Sequence, residues 1–247
     1  MDARAKLQRR SIGATISATI NATFNARQAL IVCAALLAVL GNGSAHAQAA
    51  GRFMISLGAN NIAPKVKSGD LSAPSLPGTQ INVKDASAAF ATITYMLTDD
   101  ISLQTFLGGP YKHEVVGAGA IDGVGKIGEI QQVSPTVTVQ YRFFDAASAL
   151  RPYVGLGLTY AYFFKEQGTG TLTSLTNPGG APTTLRADNA WGVSPQIGVA
   201  YAFNDRWFAD LTVIKTFVKN TTHLSTGQSI DAKLDPLTVG LTVGYRF

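Results

Sequence analysis

Cysteine is almost missing from this 247-residue chain, and the one present, Cys33, sits in an apolar N-terminal stretch. Past residue 47 there is no thiol, which excludes a disulfide framework, a cysteine nucleophile and a thiolate metal site there. Long apolar runs are lacking too. The stretch 29–40 has twelve residues, whereas a membrane-spanning helix needs about 20 to cross roughly 30 Å of hydrocarbon. Arg4, Lys6, Arg9, Arg10 and Arg27 precede that stretch with only Asp2 against them, and Ala45-His46-Ala47 follows it. A basic leader, a short apolar core and an A-x-A site predict a cleavable signal peptide over 1–47 and a mature chain over 48–247. Excess charge is absent as well. Five of the 20 basic residues and one of the 15 acidic ones lie in the leader, leaving 15 against 14. Near-neutrality gives no footprint for nucleic acid, which needs a clustered basic face.

What the chain does have is a period of two. Leu237, Val239, Leu241, Val243, Tyr245 and Phe247 alternate with Thr238, Gly240, Thr242, Gly244 and Arg246. Val133, Val137, Val139, Tyr141 and Phe143 alternate with Gln132, Ser134, Thr136, Thr138, Gln140 and Arg142. Six weaker segments follow the same rule, at 53–58, 89–97, 101–107, 154–162, 191–201 and 207–214. Such alternation marks strands whose two faces meet different solvents. Three connections are short and rich in turn formers, around Asp99, Asp145 and Asp205. Four are long and loaded with Gly, Pro, Ser and Thr, at about 60–84, 109–130, 165–188 and 219–231. An even strand count with short turns at one end and long loops at the other predicts an all-β, eight-stranded antiparallel transmembrane barrel, turns in the periplasm and loops outside. Aromatics near strand ends, among them Phe143, Tyr160, Tyr162, Phe163, Phe164 and Trp207, suit interfacial girdles.

A soluble barrel would show the same alternation with its faces exchanged, and periodicity does not separate the two. The last strand favours lipid. Tyr245 and the terminal Phe247 end an apolar face, which resembles the signal read by the barrel-assembly machinery of bacterial outer membranes.

The residues that follow resemble a known family. Arg151-Pro152-Tyr153-Val154-Gly155-Leu156-Gly157 is the strongest piece, continuing to Tyr160 and Phe163-Phe164. Thr94-Tyr95-Met96, Pro110-Tyr111-Lys112-His113, Trp191-Gly192, Gln196-Ile197-Gly198-Val199, Leu234-Asp235-Pro236 and Gly244-Tyr245-Arg246-Phe247 follow in order. Together they resemble the OmpW family of outer-membrane proteins across nearly all of the mature chain. The resemblance implies a narrow, apolar lumen that passes small hydrophobic molecules, with lateral release into the membrane. It also implies a hydrophobic constriction at Phe106 and Ile214, where the family pattern carries a leucine and a tryptophan.

Parity supports part of this independently. Phe90, Met96, Phe106, Phe208 and Ile214 fall on the inward face and are apolar, so they are candidate channel-lining residues. Plain packing would look the same, since eight strands enclose just enough room for side chains or one small ligand. Gln104, Gln140, Arg142, Gln196, Asp210 and Arg246 are the polar inward set and predict a hydrogen-bonded, charge-paired lower plug, with two arginines as partners for Asp210. A closed lower end favours a side exit over straight passage.

Other signals carry less. Residues 123–128 match G-x-G-x-x-G without the strand, helix and acidic residue a dinucleotide site requires, and predict a flexible surface loop with no cofactor. His113 and His223 lie in loop regions without a carboxylate pattern for a metal, and no nucleophile is placed beside them. Neither a metal site nor an enzyme is predicted. Pro135 and Pro195 predict a bulge or strand end. Lys215 and Lys219 share the lipid-facing parity and must lie at or above the outer headgroups, which sets the boundary near Val213. The leading expectation is a passive conduit whose partners are outer-membrane lipid and a small hydrophobic solute. The alternative is a surface barrel whose long loops act as receptor or adhesin.

Overall fold

The structure is a computed structural model that describes residues 49–247. The predicted signal peptide and its cleavage site lie outside the described residues. Numbered along the chain, the strands are β1 (Phe53–Ala63), β2 (Lys67–Ser68), β3 (Thr79–Val83), β4 (Ala86–Met96), β5 (Ile101–Gly108), β6 (Tyr111–Gly119), β7 (Lys126–Val133) and β8 (Thr136–Arg142). After them come β9 (Leu150–Gly168), β10 (Leu185–Ala187), β11 (Ala190–Ala202), β12 (Trp207–Lys215), β13 (Lys219–Leu224), β14 (Ser229–Lys233) and β15 (Leu237–Arg246). One short helix, α1 (Gly170–Thr176), interrupts the run between β9 and β10.

Eight of these strands close a barrel in chain order, β1-β4-β5-β8-β9-β11-β12-β15, each antiparallel to its neighbours, with β15 pairing back onto β1. The register gives the tilt. From Ile55 the pairing runs through Ile93, Thr105, Val137, Leu158 and Val193 to Phe217. In the other direction it runs through Tyr245 to Trp207. The two ends lie on one line of chain ten residues apart, a shear that tilts eight strands by about 40°.

The pleat sorts side chains as the alternation predicts. Leu57, Val139, Leu156, Leu158 and Ile197 face outward, and Leu156 is 61% exposed. Val239 and Val243 on the last strand also face out, while Thr242 and Arg246 are buried inside. A water-soluble barrel would reverse this. Aromatic contacts gather at both ends of the apolar band. Phe53–Tyr95, Tyr141–Phe143, Tyr201–Phe203 and Trp207–Tyr245–Phe247 ring the end that carries the short turns, and Tyr160–Trp191 and Tyr162–Phe164 the end that carries the long connections.

Several expectations need correction. Phe163 is not a girdle residue: it lies on the inward parity of β9 and is buried in a core above the barrel. The four long connections are not loose loops, because each carries strands beyond the barrel rim. β6 and β7 pair with each other, β6 with β3, and β7 with the upper half of β9, which extends the wall outward. β10, β13, β14 and β2 form a second small sheet. The glycine-rich stretch 123–128 is likewise partly strand, since β7 begins at Lys126. Pro195 neither ends nor bulges β11. It pairs with Leu156 of β9, and on the β12 side it falls in the break between the Gln196↔Ile214 end of the ladder and the isolated Val193↔Phe217 bridge, where its missing donor is tolerated. At Pro135 a strand does end, and β7 and β8 are separate. Lys215 donates to the Asp235 carbonyl, and Lys219 pairs within the second sheet.

Replacing Leu156 by lysine puts a cation on the lipid face well inside the band. The variant should lose roughly 2–4 kcal/mol of stability in urea titrations of barrel folded into phospholipid vesicles. Leu76→Lys, at a 71% exposed position outside the barrel, should change it by less than about 0.5 kcal/mol.

Candidate functional site

Inward residues along each strand stack into levels, and the lumen changes character from one level to the next. Lowest is an apolar floor where Met54, Met96, Ala200 and Phe208 pack together, with the Arg246 guanidinium 5.0 Å over the Phe208 ring. Above it, the Tyr153 hydroxyl donates to Asp210 Oδ1 at 2.8 Å, and the Arg142 guanidinium lies 4.8 Å over the Tyr153 ring. Arg142 also donates from Nη2 to Gln140 Oε1 (2.8 Å) and from Nε to Ser102 Oγ (3.1 Å).

Next comes a ring of three glutamines. Gln140 Nε2 donates to Gln104 Oε1 (2.9 Å) and Gln196 Oε1 (3.0 Å), and Gln196 Nε2 donates to Gln104 Oε1 (3.1 Å) and Thr212 Oγ1 (2.9 Å). Gln104 Nε2 donates onward to Thr94 Oγ1 at 3.1 Å. Amides carry both donors and acceptors, so three of them can satisfy one another across a narrow lumen without water. This is a fully bonded polar layer.

Over that layer lie Phe90, Phe106 and Ile214 in mutual contact, the two rings stacked with centroids 4.5 Å apart. Gly240 makes the arrangement possible: a Cβ there would come within 2.7 Å of the Phe90 ring. The five apolar residues predicted as one lining set are therefore divided. Phe90, Phe106 and Ile214 form the upper group, Met96 and Phe208 belong to the floor, and the glutamines separate them.

A small cavity of about 30 Å³ sits on Phe106 and Ile214, bounded by Ser134, Thr136, Thr159 and Thr216. It shares Ile62, Gln132, Ala161, Val218 and Pro236 with a larger vestibule of about 130 Å³. The vestibule is enclosed by the extra-barrel strands and α1. Val115, Ile127, Ile130, Phe163, Leu185, Leu224 and Ile230 turn inward to form its wall, and Leu172 of α1 closes over them. α1 is held in place by Thr169, whose hydroxyl accepts from Leu172 N.

At the level of the Phe106 group the barrel wall has a fault. The β5–β8 ladder stops at Phe106↔Thr136, and the β6–β7 ladder resumes at Tyr111↔Gln132. Between them run 107–110 and 133–135, each line carrying a proline, Pro110 or Pro135, with no N–H to donate. Gly109 turns the chain there with φ +95°, a conformation L side chains resist. Tyr111 is then pinned inward, with its hydroxyl and the Asn60 amide bonded to each other at 2.7 and 3.0 Å.

The sequence pattern of the OmpW family matches residues 49–247. The chain belongs to the OmpW family. Outer membrane protein W of Vibrio cholerae serotype O1 is 31% identical over 219 residues, which cover 86% of this chain and 96% of that protein. The dibenzothiophene metabolism operon protein PahQ of Pseudomonas aeruginosa is 25% identical over 175 residues, 70% of this chain and 77% of PahQ. The crystal structure of OprG from Pseudomonas aeruginosa superimposes with a TM-score of 0.72 at 25% identity, covering 82% of this chain and 99% of OprG. With this kinship the barrel is placed in the bacterial outer membrane.

Sequence reasoning missed Arg151 and Tyr153, which are both fully buried inside the barrel. Arg151 Nη2 donates to the carbonyls of Asp99 (2.8 Å) and Phe144 (2.9 Å) and lies 3.4 Å from Asp100 Oδ1, tying two periplasmic turns together. The signal was available, because both share odd parity with Gly155, Gly157 and Thr159. Of the two arginines expected beside Asp210, Arg142 interacts with its carboxylate electrostatically, and Tyr153 donates a hydrogen bond to it. His223 contacts Asp188 at 3.2 Å on the exposed rim, away from the vestibule. Tyr153→Phe should lower unfolding stability by about 1–3 kcal/mol in the vesicle titration, because the buried Asp210 carboxyl loses its donor.

Proposed function

We propose that this barrel admits small apolar solutes at the cell surface and releases them sideways into the outer membrane. The carrying observation is the pairing of an apolar vestibule above with a hydrogen-bonded ring of three glutamines across the lumen below. An apolar solute gains by leaving water for a wall of Val, Ile, Leu and Phe side chains, at about 25 cal/mol per Å² of surface buried. To continue down the axis it would have to break the Gln104–Gln140–Gln196 ring and leave several buried amides unpaired. That cost, about 1–3 kcal/mol for each group left unsatisfied, makes the floor a barrier that apolar surface cannot repay.

Phe90, Phe106 and Ile214 serve in this reading as the constriction that turns the solute aside. The interrupted ladder at 107–110 and 133–135 lies beside that group and is the natural exit. A proline stands on each line where the regular ladder stops, and proline is a residue that ladders tolerate only at such ends and bulges. The name of PahQ ties that relative to dibenzothiophene metabolism, which supports an aromatic, apolar cargo. A surface receptor is favoured less, because the extra-barrel strands spend their apolar side chains on the cavity instead of presenting them outward. We assign the barrel no catalytic step.

Cells carrying the protein should take up a small aromatic hydrocarbon such as naphthalene several-fold faster than cells lacking it, measured as initial uptake of labelled compound. Equal rates would count against a conduit. The double variant Pro110→Val/Pro135→Val removes the two ladder-breaking residues beside the fault and should slow uptake while leaving naphthalene binding in lipid nanodiscs unchanged. Unaltered uptake in that variant would remove the lateral exit and leave the vestibule.

A further inference from the structure

Polar groups in the vestibule wall are few, and those with a bonded partner are already spoken for. The Gln132 amide donates to Ser134 Oγ, Asn220 Nδ2 donates to the Asp188 carbonyl (3.2 Å), and the Thr176 and Thr183 hydroxyls bond each other (2.9 Å). His113 differs. It lines the vestibule, is 3% exposed, and its Nε2 makes no hydrogen bond within the described residues.

The ring's other nitrogen settles what Nε2 can do. Nδ1 lies 2.8 Å from the Lys84 carbonyl oxygen. A carbonyl only accepts, so the proton resides on Nδ1, and Nε2 of the neutral ring is a lone-pair acceptor. The neutral form is favoured: burial holds the His113 pKa below the ordinary value, against the smaller opposing pulls of the Lys84 carbonyl and Asp85. β6 positions the ring. Tyr111, two residues earlier on the same face, is locked to Asn60, and its ring stacks with the imidazole at 6.4 Å. The largely apolar vestibule wall thus includes one oriented ring nitrogen that has no hydrogen-bond partner among the described residues.

We infer that the vestibule selects small apolar molecules bearing a single hydrogen-bond donor, such as a phenol, an alcohol or an N–H heterocycle, with His113 Nε2 as the acceptor. This rests on the conduit reading and sharpens its substrate class. An apolar body satisfies the wall, and one O–H or N–H satisfies the nitrogen. A solute of the same shape without the donor fills the same space and leaves Nε2 unpaired.

The test uses the mature barrel in lipid nanodiscs with 2-naphthol and 2-methoxynaphthalene, which share an oxygenated naphthalene body but differ in the donor. Binding is read from perturbation of vestibule methyl signals by NMR, with lipid-only nanodiscs as the reference for partitioning. The wild type should bind 2-naphthol about tenfold more tightly, which is about 1.4 kcal/mol, and the His113 Nε2 nitrogen resonance should shift with 2-naphthol alone. His113→Phe keeps a ring and removes the acceptor, so both probes should then bind as 2-methoxynaphthalene does. His113→Gln, which restores an acceptor oxygen, should recover part of the preference. Equal affinities in the wild type, an unmoved nitrogen resonance, or a preference that survives His113→Phe would each overturn the assignment. The resonance arm needs no variant, so a misfolded mutant does not shield the idea. Should both probes bind equally, only the histidine's role falls. If neither binds, the apolar vestibule as intake falls with it.

Discussion

Hydrocarbon offers the backbone no hydrogen bonds, and the whole structure follows from that. A chain that crosses lipid as strands must pair every N–H and C=O with a neighbour and leave no edge, so the sheet has to close. Here closure joins β15 to β1, with a shear of ten set by the register. Once the backbone is satisfied by closure, side chains are free to answer two solvents at once, and the pleat does the sorting. The same rule makes the gap between Phe106↔Thr136 and Tyr111↔Gln132 conspicuous. A barrel wall carries a cost wherever the ladder lapses, and here it lapses level with Tyr160 and Tyr162 of the upper aromatic belt. A proline stands on each of the two lines where it lapses, Pro110 and Pro135.

The lumen obeys a related constraint. Eight tilted strands leave a bore about as wide as the side chains that line it, so large rings must be matched by absent ones. Phe90 projects over Gly240, Phe208 over Gly244, and Tyr153 over Gly198, where a Cβ would come within 2.7, 2.3 and 2.3 Å of the respective rings. The inward glycines that look like weak strand formers in the sequence are thus the space into which the lumen's largest residues pack. Among the buried polar residues between those rings, the three glutamines bond one another and Tyr153 bonds Asp210.

Much of this was legible because a period of two is a direct imprint of the pleat. The eight strands, the outward set around Val239 and Val243, and the inward polar and apolar residues all follow from parity alone. Partners did not follow. Parity says that Asp210 points inward without saying what it meets, because its neighbour depends on the shear, and shear is a property of the closed sheet that no single segment encodes. The extra-barrel strands were hidden for a different reason. Their alternation is short, broken by Gly and Pro, and divided between two small sheets, so 109–130 and 165–188 look like loops until Phe163, Ile130 and Leu185 are seen packing together. Phe163 was misplaced because proximity to Tyr162 and Phe164 suggested a belt, although its parity puts it on the other face.

The vestibule also explains why the connections are long and yet ordered. A loop that only tethers strands gains nothing from Val115, Ile127, Leu224 and Ile230, and exposing such residues would invite association. Folded over the barrel mouth, they enclose a cavity too apolar to bind water well and too open in composition to specify one ligand by shape. Discrimination in such a space has to come from the few polar atoms in its wall. Ser75, Gln132, Thr176 and Asn220 there already bond to other protein groups, which leaves few of the wall's polar atoms for recognition. A single ring nitrogen fixed by the Lys84 carbonyl, and held in line by the locked Tyr111, remains the point at which an otherwise greasy surface can tell one small molecule from its methylated twin.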